Sequence, residues 1–355
     1  MSTSSNTPTS LLVPHFTKPH LTAPPSTGRK EEEDDDEKVT NEFNEFLLSL
    51  PREKGWRTPY LYKFQGFWCP PKEIQAIMSF QKHFQAKDTD VVLASVPKSG
   101  TTWLKALAFA ILNRNRFTDK NRHPLLSSNP HDLVPFFEYK VYANSHVPDL
   151  SGVPDPRIFA AHVPFGSLQE SIKKSNCRIV YICRNPFDNF TSLWFFINNV
   201  RSRSLPPLST EEIFNMYCNG FVGYGPFWDH MLGYWKESLE RPDKVLFLKY
   251  EDMKEDVTFY IKKLAKFLGC PFSVQEERDG VVEDIAQLCS FENLKDLEVN
   301  KSGNSIIYFE NKHLFRKGEV GDWMNYFSPS MVEELRNVME EKLGGSGLEF
   351  KIFTG

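Results

Sequence analysis

An α/β fold, one domain with a central parallel sheet flanked by helices around a phosphate-loop-like turn, is predicted by three observations. The first is the run from Asp90 to Trp103, in which an apolar stretch leads into Pro97-Lys98-Ser99-Gly100-Thr101-Thr102-Trp103 and then into a helix-like segment. The second is the recurrence of short apolar segments at Arg157 to Ala161, Arg178 to Cys183 and Lys244 to Lys249, each separated by helix-like sequence. That alternation marks a parallel sheet sandwiched by helices. The third is the high apolar density from Asn41 onward, with no Gly/Ser-rich linker to separate two domains.

Residues 1–38 are rich in Ser, Thr and Pro and end in the acidic run Glu31 to Glu37. They lack the apolar surface needed to offset the entropy of folding and are read as a disordered tail. The absence of acids from the first 30 residues has a transit-peptide look, but Arg29 is the single arginine there, and a solvated extension is the simpler reading. The folded domain is expected over 39–355. Ile74, Ile77, Met78 and Phe84 recur at helical spacing before the first strand. Val91, Val92, Leu93 and Val96 form that strand, largely β-branched as in a sheet covered on both faces. Gly269 and Pro271 terminate a helix expected from about Asp256 to Leu268.

Of 355 residues 40% are apolar, 42 are basic and 46 acidic, for a net charge of −4, so the charge balance points away from nucleic acid and any anion site must be local. Six cysteines, Cys69, Cys177, Cys183, Cys218, Cys270 and Cys289, lie without close pairs or neighbouring histidines, which argues against a zinc site or a disulfide framework. Reduced, partly buried thiols fit a cytoplasmic protein. No apolar run reaches the length of a membrane span, the longest near the loop being Ala106 to Leu112.

The loop after the first strand carries the chemistry. Gly100 permits a tight turn, Ser99, Thr101 and Thr102 supply hydroxyls, Lys98 supplies charge, and the opening N–H groups of the next helix lack intrahelical acceptors. The lysine precedes the glycine, so the Walker pattern is absent, and no magnesium aspartate ends the second strand; both features count against a nucleotide kinase or ATPase. That strand ends in Arg184, with Ser192 about two helical turns on, a pattern suited to a second phosphate. His162 follows Arg157 to Ala161 at a carboxyl end, where open α/β sheets place their sites, and is the histidine best placed for a general base. Arg316-Lys317-Gly318 puts two cations before a glycine. Taken singly, Arg184 reads as an exposed arginine before a proline turn, His162 as a satisfied or surface histidine, Arg316-Lys317-Gly318 as a solvated turn and Tyr250 as core. Together they call for two anion sites and one base.

Together, too, these segments resemble the cytosolic sulfotransferase family, whose donor is 3′-phosphoadenylyl sulfate (PAPS), from about Phe46 to the end of the chain. The resemblance implies that Lys98, Ser99, Gly100, Thr101 and Thr102 hold the 5′-phosphosulfate. It implies that Arg184, Ser192, Arg316, Lys317 and Gly318 hold the 3′-phosphate, that Trp103, Tyr250, Ser290 and Phe291 surround adenine, and that His162 and Lys98 are catalytic. The implied scheme requires no metal, and its acceptor is a small hydroxylated molecule. Among plant members the chain is most similar to hydroxyjasmonate sulfotransferases, through Phe64 to Cys69, Lys72 to Gln85, Asn129 to Lys140 and Gly225 to Trp228; flavonoid-sulfating members share several of these segments. Phe67, Phe137, Tyr139, Phe195 and Tyr308 are the expected acceptor lining. Ala161 stands where the family commonly has threonine, and Phe195 where plant relatives usually have histidine. Met324, Ser328 and Pro329 depart from the family's dimer motif, so a monomer is expected, with a dimer as the alternative. A nucleotide-binding protein without catalysis is the rival of a different class; it would keep Lys98 and Arg184 without a working base.

Overall fold

The computed structural model describes residues 41–143, 147–306 and 309–352. The tail and its boundary near residue 38 lie outside the described residues, as does Tyr308.

Four strands, β4 (Val91–Ser95), β5 (Ile158–Ala161), β6 (Arg178–Cys183) and β7 (Val245–Lys249), form an all-parallel sheet in the order β5-β4-β6-β7. The register pairs Leu93 with Ala160 on one side and with Val180 on the other. Every residue of β4 is buried, which accounts for its unbroken apolar character. At the amino ends of β4 and β5, Arg157 makes a two-pronged ion pair with Asp90, Nε–Oδ1 2.7 Å and Nη2–Oδ2 2.5 Å, both side chains buried. The planar fork fixes these two strands in register at the end remote from the loop. Because β4 has neighbours on both sides whose crossovers diverge, its carboxyl end is a topological switch point, the place where open α/β sheets bind ligands.

Helices flank this sheet as expected. In Pro71–His83 the inward stripe is Ile74, Ile77 and Phe80; Met78, grouped with them from spacing, is exposed, and Phe84 follows the helix as a buried cap. The helix expected from about Asp256 to Leu268 spans Val257–Phe267, with the Asp256 carboxylate accepting the Phe259 N–H and Gly269 at φ +77° ending it. All six cysteines are free thiols, five of them buried.

A second sheet was not anticipated. Strands β1 (Arg52–Lys54), β2 (Tyr60–Phe64) and β3 (Phe67–Cys69) form an antiparallel ribbon. Gln65 and Gly66, at φ +48° and +90°, make the two-residue turn between the last two. The ribbon is tied to residues 224–225 by Trp68 N–H to Gly225 O, 2.8 Å, and Tyr224 N–H to Trp68 O, 2.6 Å. Phe67 stacks on Tyr224, whose ring in turn faces His162, so the ribbon backs one wall of the site.

Candidate active site

Strand β4 delivers the chain into a loop with two left-handed residues, Lys98 at φ +69° and Gly100 at φ +105°. A lysine in that region is strained, and such strain persists where surrounding structure enforces it. Here Asn189 enforces it, donating to Pro97 O (2.9 Å) and Ser99 Oγ (3.1 Å). A side chain at Gly100 would meet the Tyr250 ring at 2.7 Å. The loop opens the helix Thr101–Asn113, where Thr101 Oγ1 lies 2.6 Å from Ser95 Oγ. Lys98 Nζ sits 4.2 Å from the centroid of the Phe196 ring. Burial, followed by repulsion from Arg184 and Arg316, brings its pKa down to about 7.

The strand β6 delivers Arg184, and the helix Pro186–Val200 that follows carries Ser192 to the same cavity. Asp188 in that helix accepts N–H groups from Gly321 (2.7 Å) and Trp323 (3.1 Å), which moors the distant segment 316–323 beside it. Within that segment Asp322 pairs with both Arg316 (2.5 Å) and Lys317 (2.6 Å). The Arg184 guanidinium lies over the Tyr250 ring at 4.6 Å and donates to Glu319 O, while Tyr250 Oη donates to Gly318 O at 2.9 Å. Gly318, at φ +70°, is packed so closely on Phe291 that a Cβ would approach its ring to 2.6 Å. The Nε–H groups of Arg184 and Arg316 are both buried without a hydrogen-bond partner. Two guanidinium groups lining one cavity, each with a buried donor left unanswered, fit an anion with several acceptor oxygens.

His162 follows β5 directly. Its N–H donates to Glu138 Oε1 (2.7 Å) and its carbonyl accepts from His230 Nε2 (2.8 Å), so the backbone is fixed from both sides. His230 is itself positioned by Tyr181 Oη at 2.9 Å from Nδ1. The His162 Nδ1 lies 2.7 Å from the Ser95 carbonyl, which can only accept, so Nδ1 carries the proton and Nε2 presents a lone pair. Burial presses the His162 pKa down to about 3, leaving the ring neutral, and raises that of Glu138 to about 7.

These groups share one cavity of about 280 Å³. Lys98, Gly100, Thr101, Thr102, Trp103, His162, Arg184, Ser192, Ser290, Phe291, Arg316, Lys317 and Gly318 all line it. Two expected contacts stand behind it: Ser99, whose hydroxyl is taken by Asn189, and Tyr250, whose ring supports Arg184 and Gly100. The acceptor lining needs correction. Tyr139 is present, but Phe137 packs into the core against Phe80 and Phe159, and Phe67 lies one ring back behind Tyr224. Phe195 lies against Arg316 (4.9 Å) and Tyr326, on the cationic clamp rather than the acceptor side. The apolar wall of the cavity is formed instead by Phe136, Phe196, Ile306 and Phe309. Sequence reasoning also missed Glu138, His131 and Asp322; only Asp322, adjoining the basic triplet, carried a local signal.

Arg184→Ala is expected to weaken binding of adenosine 3′,5′-bisphosphate (PAP) by roughly tenfold or more, read by calorimetry, since a charge-assisted contact is lost. Unchanged affinity would remove Arg184 from the anion clamp.

Residues 88–347 match the family model described as the sulfotransferase domain. The chain is similar to cytosolic sulfotransferase 15 of Arabidopsis thaliana, 59% identical over 99% of this chain and 100% of that one. Among solved structures, an Arabidopsis thaliana sulphotransferase shares 41% identity over 89% of this chain and 98% of its own, with TM-score 0.72. Mouse sulfotransferase SULT7A1 complexed with PAP shares 27% over 81% of this chain and 95% of its own, with TM-score 0.62. No described helix is long and apolar enough to cross a membrane. With a lysine loop, a two-arginine clamp and a tautomer-fixed histidine converging in one cavity of a chain this close to its relatives, the protein belongs to the plant cytosolic sulfotransferase family.

Proposed function

We propose that this protein moves the sulfuryl group of PAPS to a hydroxyl of a small plant metabolite, with a hydroxyjasmonate as the leading acceptor and a flavonol as the alternative. The observation that carries the donor is that Arg184 and Arg316, each with a buried, unpartnered Nε–H, line the same cavity as Lys98 and His162. The PAP complex of the mouse relative supports it. Lys98, Thr101 and Thr102 would hold the 5′ end, with Ser99 and Gly100 shaping the loop. Arg184, Ser192, Arg316, Lys317 and Gly318 would hold the 3′-phosphate, and Trp103, Ser290 and Phe291, backed by Tyr250, the base. When bound, PAPS supplies a sulfuryl group on a phosphate leaving group. His162 Nε2 accepts the acceptor's hydroxyl proton, and Lys98 neutralises charge that builds on the leaving oxygen.

For the acceptor, the sequence segments shared with hydroxyjasmonate-sulfating members support the first reading. The walls formed by Phe136, Tyr139, Phe196, Ile306 and Phe309 suit an apolar body of either class. Departures at Met324, Ser328 and Pro329 favour a monomer. A panel of hydroxyjasmonates, flavonols, brassinosteroids and desulfoglucosinolates, assayed with labelled PAPS, is expected to give the highest kcat/KM with a hydroxyjasmonate. A flavonol ahead of it would install the alternative, and PAP binding without turnover on any acceptor would favour the non-catalytic reading.

A further inference from the structure

The mechanism above leaves unused a set of buried polar groups directly beneath the phosphate loop. Lys105, one turn after Thr102 on the same helix, is fully buried. Its Nζ lies 2.8 Å from His131 Nδ1 and 3.2 Å from the centroid of the Phe136 ring. The other imidazole nitrogen, Nε2, lies 3.0 Å from Thr102 Oγ1. His131 is held rigidly, stacked on Phe136 at 5.3 Å with its own N–H donated to Asn129 Oδ1 at 2.9 Å. Asn129 is anchored in turn by Asn300, 2.8 Å away. Both His131 and Thr102 reach the cavity wall.

A lysine buried in this way is costly, and burial drives its pKa well below the usual value, while the carboxylates of Glu138 and Asp132 pull the other way through space. An apolar residue would fill the same core without that cost. The chemistry of the contacts gives the set a direction. The Phe136 face attracts N–H hydrogens and repels a lone pair, and an ammonium has only hydrogens to offer, so with Lys105 in that form His131 Nδ1 is the acceptor. A neutral imidazole accepting at Nδ1 must donate at Nε2, so Thr102 Oγ1 receives that hydrogen. Its own hydroxyl hydrogen is then released toward the cavity.

We propose that Lys105 and His131 are positioning residues which orient the Thr102 hydroxyl as a hydrogen-bond donor to the phosphate at the 5′ end of the nucleotide. This rests on the donor reading given above. The two lysines of this region then act differently. Lys98 meets the ligand itself, whereas Lys105 acts through two intervening groups and never touches it.

Two nucleotides divide the site for a test on the full chain: PAP carries both phosphates, adenosine 3′-monophosphate lacks the 5′ one. By calorimetry His131→Leu is expected to lose about tenfold in PAP affinity with the monophosphate within twofold of wild type, as loss of one hydrogen bond to a charged group would give. His131→Gln, whose amide can still donate to Thr102, is expected to recover most of the loss. Lys105→Met keeps the apolar stem over Phe136 and is expected to fall between them. In a Thr102→Val background the His131→Leu change is expected to have no further effect on PAP. Equal losses for both nucleotides, no rescue by glutamine, or additive losses with Thr102→Val would each overturn the relay. Failure of the wild-type protein to bind PAP would instead overturn the donor reading. Should the leucine variant not fold, the glutamine and methionine variants still decide the matter, since a relay requires near-native PAP affinity in the first and a PAP-selective loss in the second.

Discussion

His162→Ala is expected to bind PAP with near-native affinity while its turnover falls at least about a hundredfold, the lower end of what a positioned general base contributes. That corresponds to roughly 3 kcal/mol of transition-state stabilisation. The separation of binding from rate follows from how the residue is held. Its backbone contacts to Glu138 and His230 do not involve the imidazole and survive the substitution. The ring's hydrogen bond goes to the carbonyl of Ser95 in β4, which pairs through its backbone with β6 whether or not the ring is there. The Arg184 clamp is built on other elements. A parallel fall in PAP affinity would mean that the ring organises the donor site rather than the proton transfer, and turnover within a few-fold of wild type would remove His162 from the chemistry. The pH profile carries a second signature. Because burial holds the His162 pKa near 3, the basic form is already present throughout the neutral and mildly acidic range in the free protein. The rate is therefore expected to hold as pH falls through 6.5, where an ordinary histidine would protonate and the base would be lost.

The four parallel strands were legible because each is a short apolar run, too short for a helix and set between helix-like segments. The structure trims Arg157 and Lys244 from their amino ends and Val96 from the carboxyl end of the first, within the ordinary scatter of strand boundaries. The ribbon of β1, β2 and β3 was not, since strands of three to five residues leave no usable period and the Gln65-Gly66 turn was read only as part of a shared segment. The cationic residues of the site were legible because glycine and lysine in a strand-loop-helix context have a narrow range of uses. The acceptor wall was misread through rotation: one step along a helix turns a side chain by about 100°. Phe195 and Phe196, adjacent in sequence, therefore serve the clamp and the cavity respectively. Phe136, extended just before the turn that starts at Phe137, faces the site while Phe137 faces the core. Glu138, His131 and Lys105 were passed over because a polar residue amid apolar neighbours does not reveal from sequence whether its partner is solvent or a buried atom.

The donor loop makes the second large prediction, on Lys98. In the free protein, burial and the neighbouring guanidinium groups of Arg184 and Arg316 hold its pKa near 7, so it is cationic below that pH and increasingly neutral above it. A ligand bearing phosphates favours the cation and raises the pKa on binding. At pH 8 the protein is therefore expected to take up close to one proton as PAP binds, measured from calorimetric enthalpies in buffers of different ionisation heat, and the uptake should fall to about half near pH 7 and nearly vanish by pH 6. Lys98→Met removes both the charge and the proton; kcat/KM for the donor is expected to fall by about a hundredfold or more, as when one preorganised donor to a developing anion is deleted. Lys98→Arg separates the two effects, because a guanidinium stays protonated at pH 8. That variant should bind PAP without the uptake and, lacking a compact ammonium on a left-handed backbone, should recover only part of the rate. Uptake that persisted in Lys98→Met would assign the proton elsewhere. His162, neutral at both ends of this range, could supply it only if PAP raised its pKa from about 3 to near 8. A double variant with His162→Ala would then show whether the base, rather than the lysine, senses the phosphates.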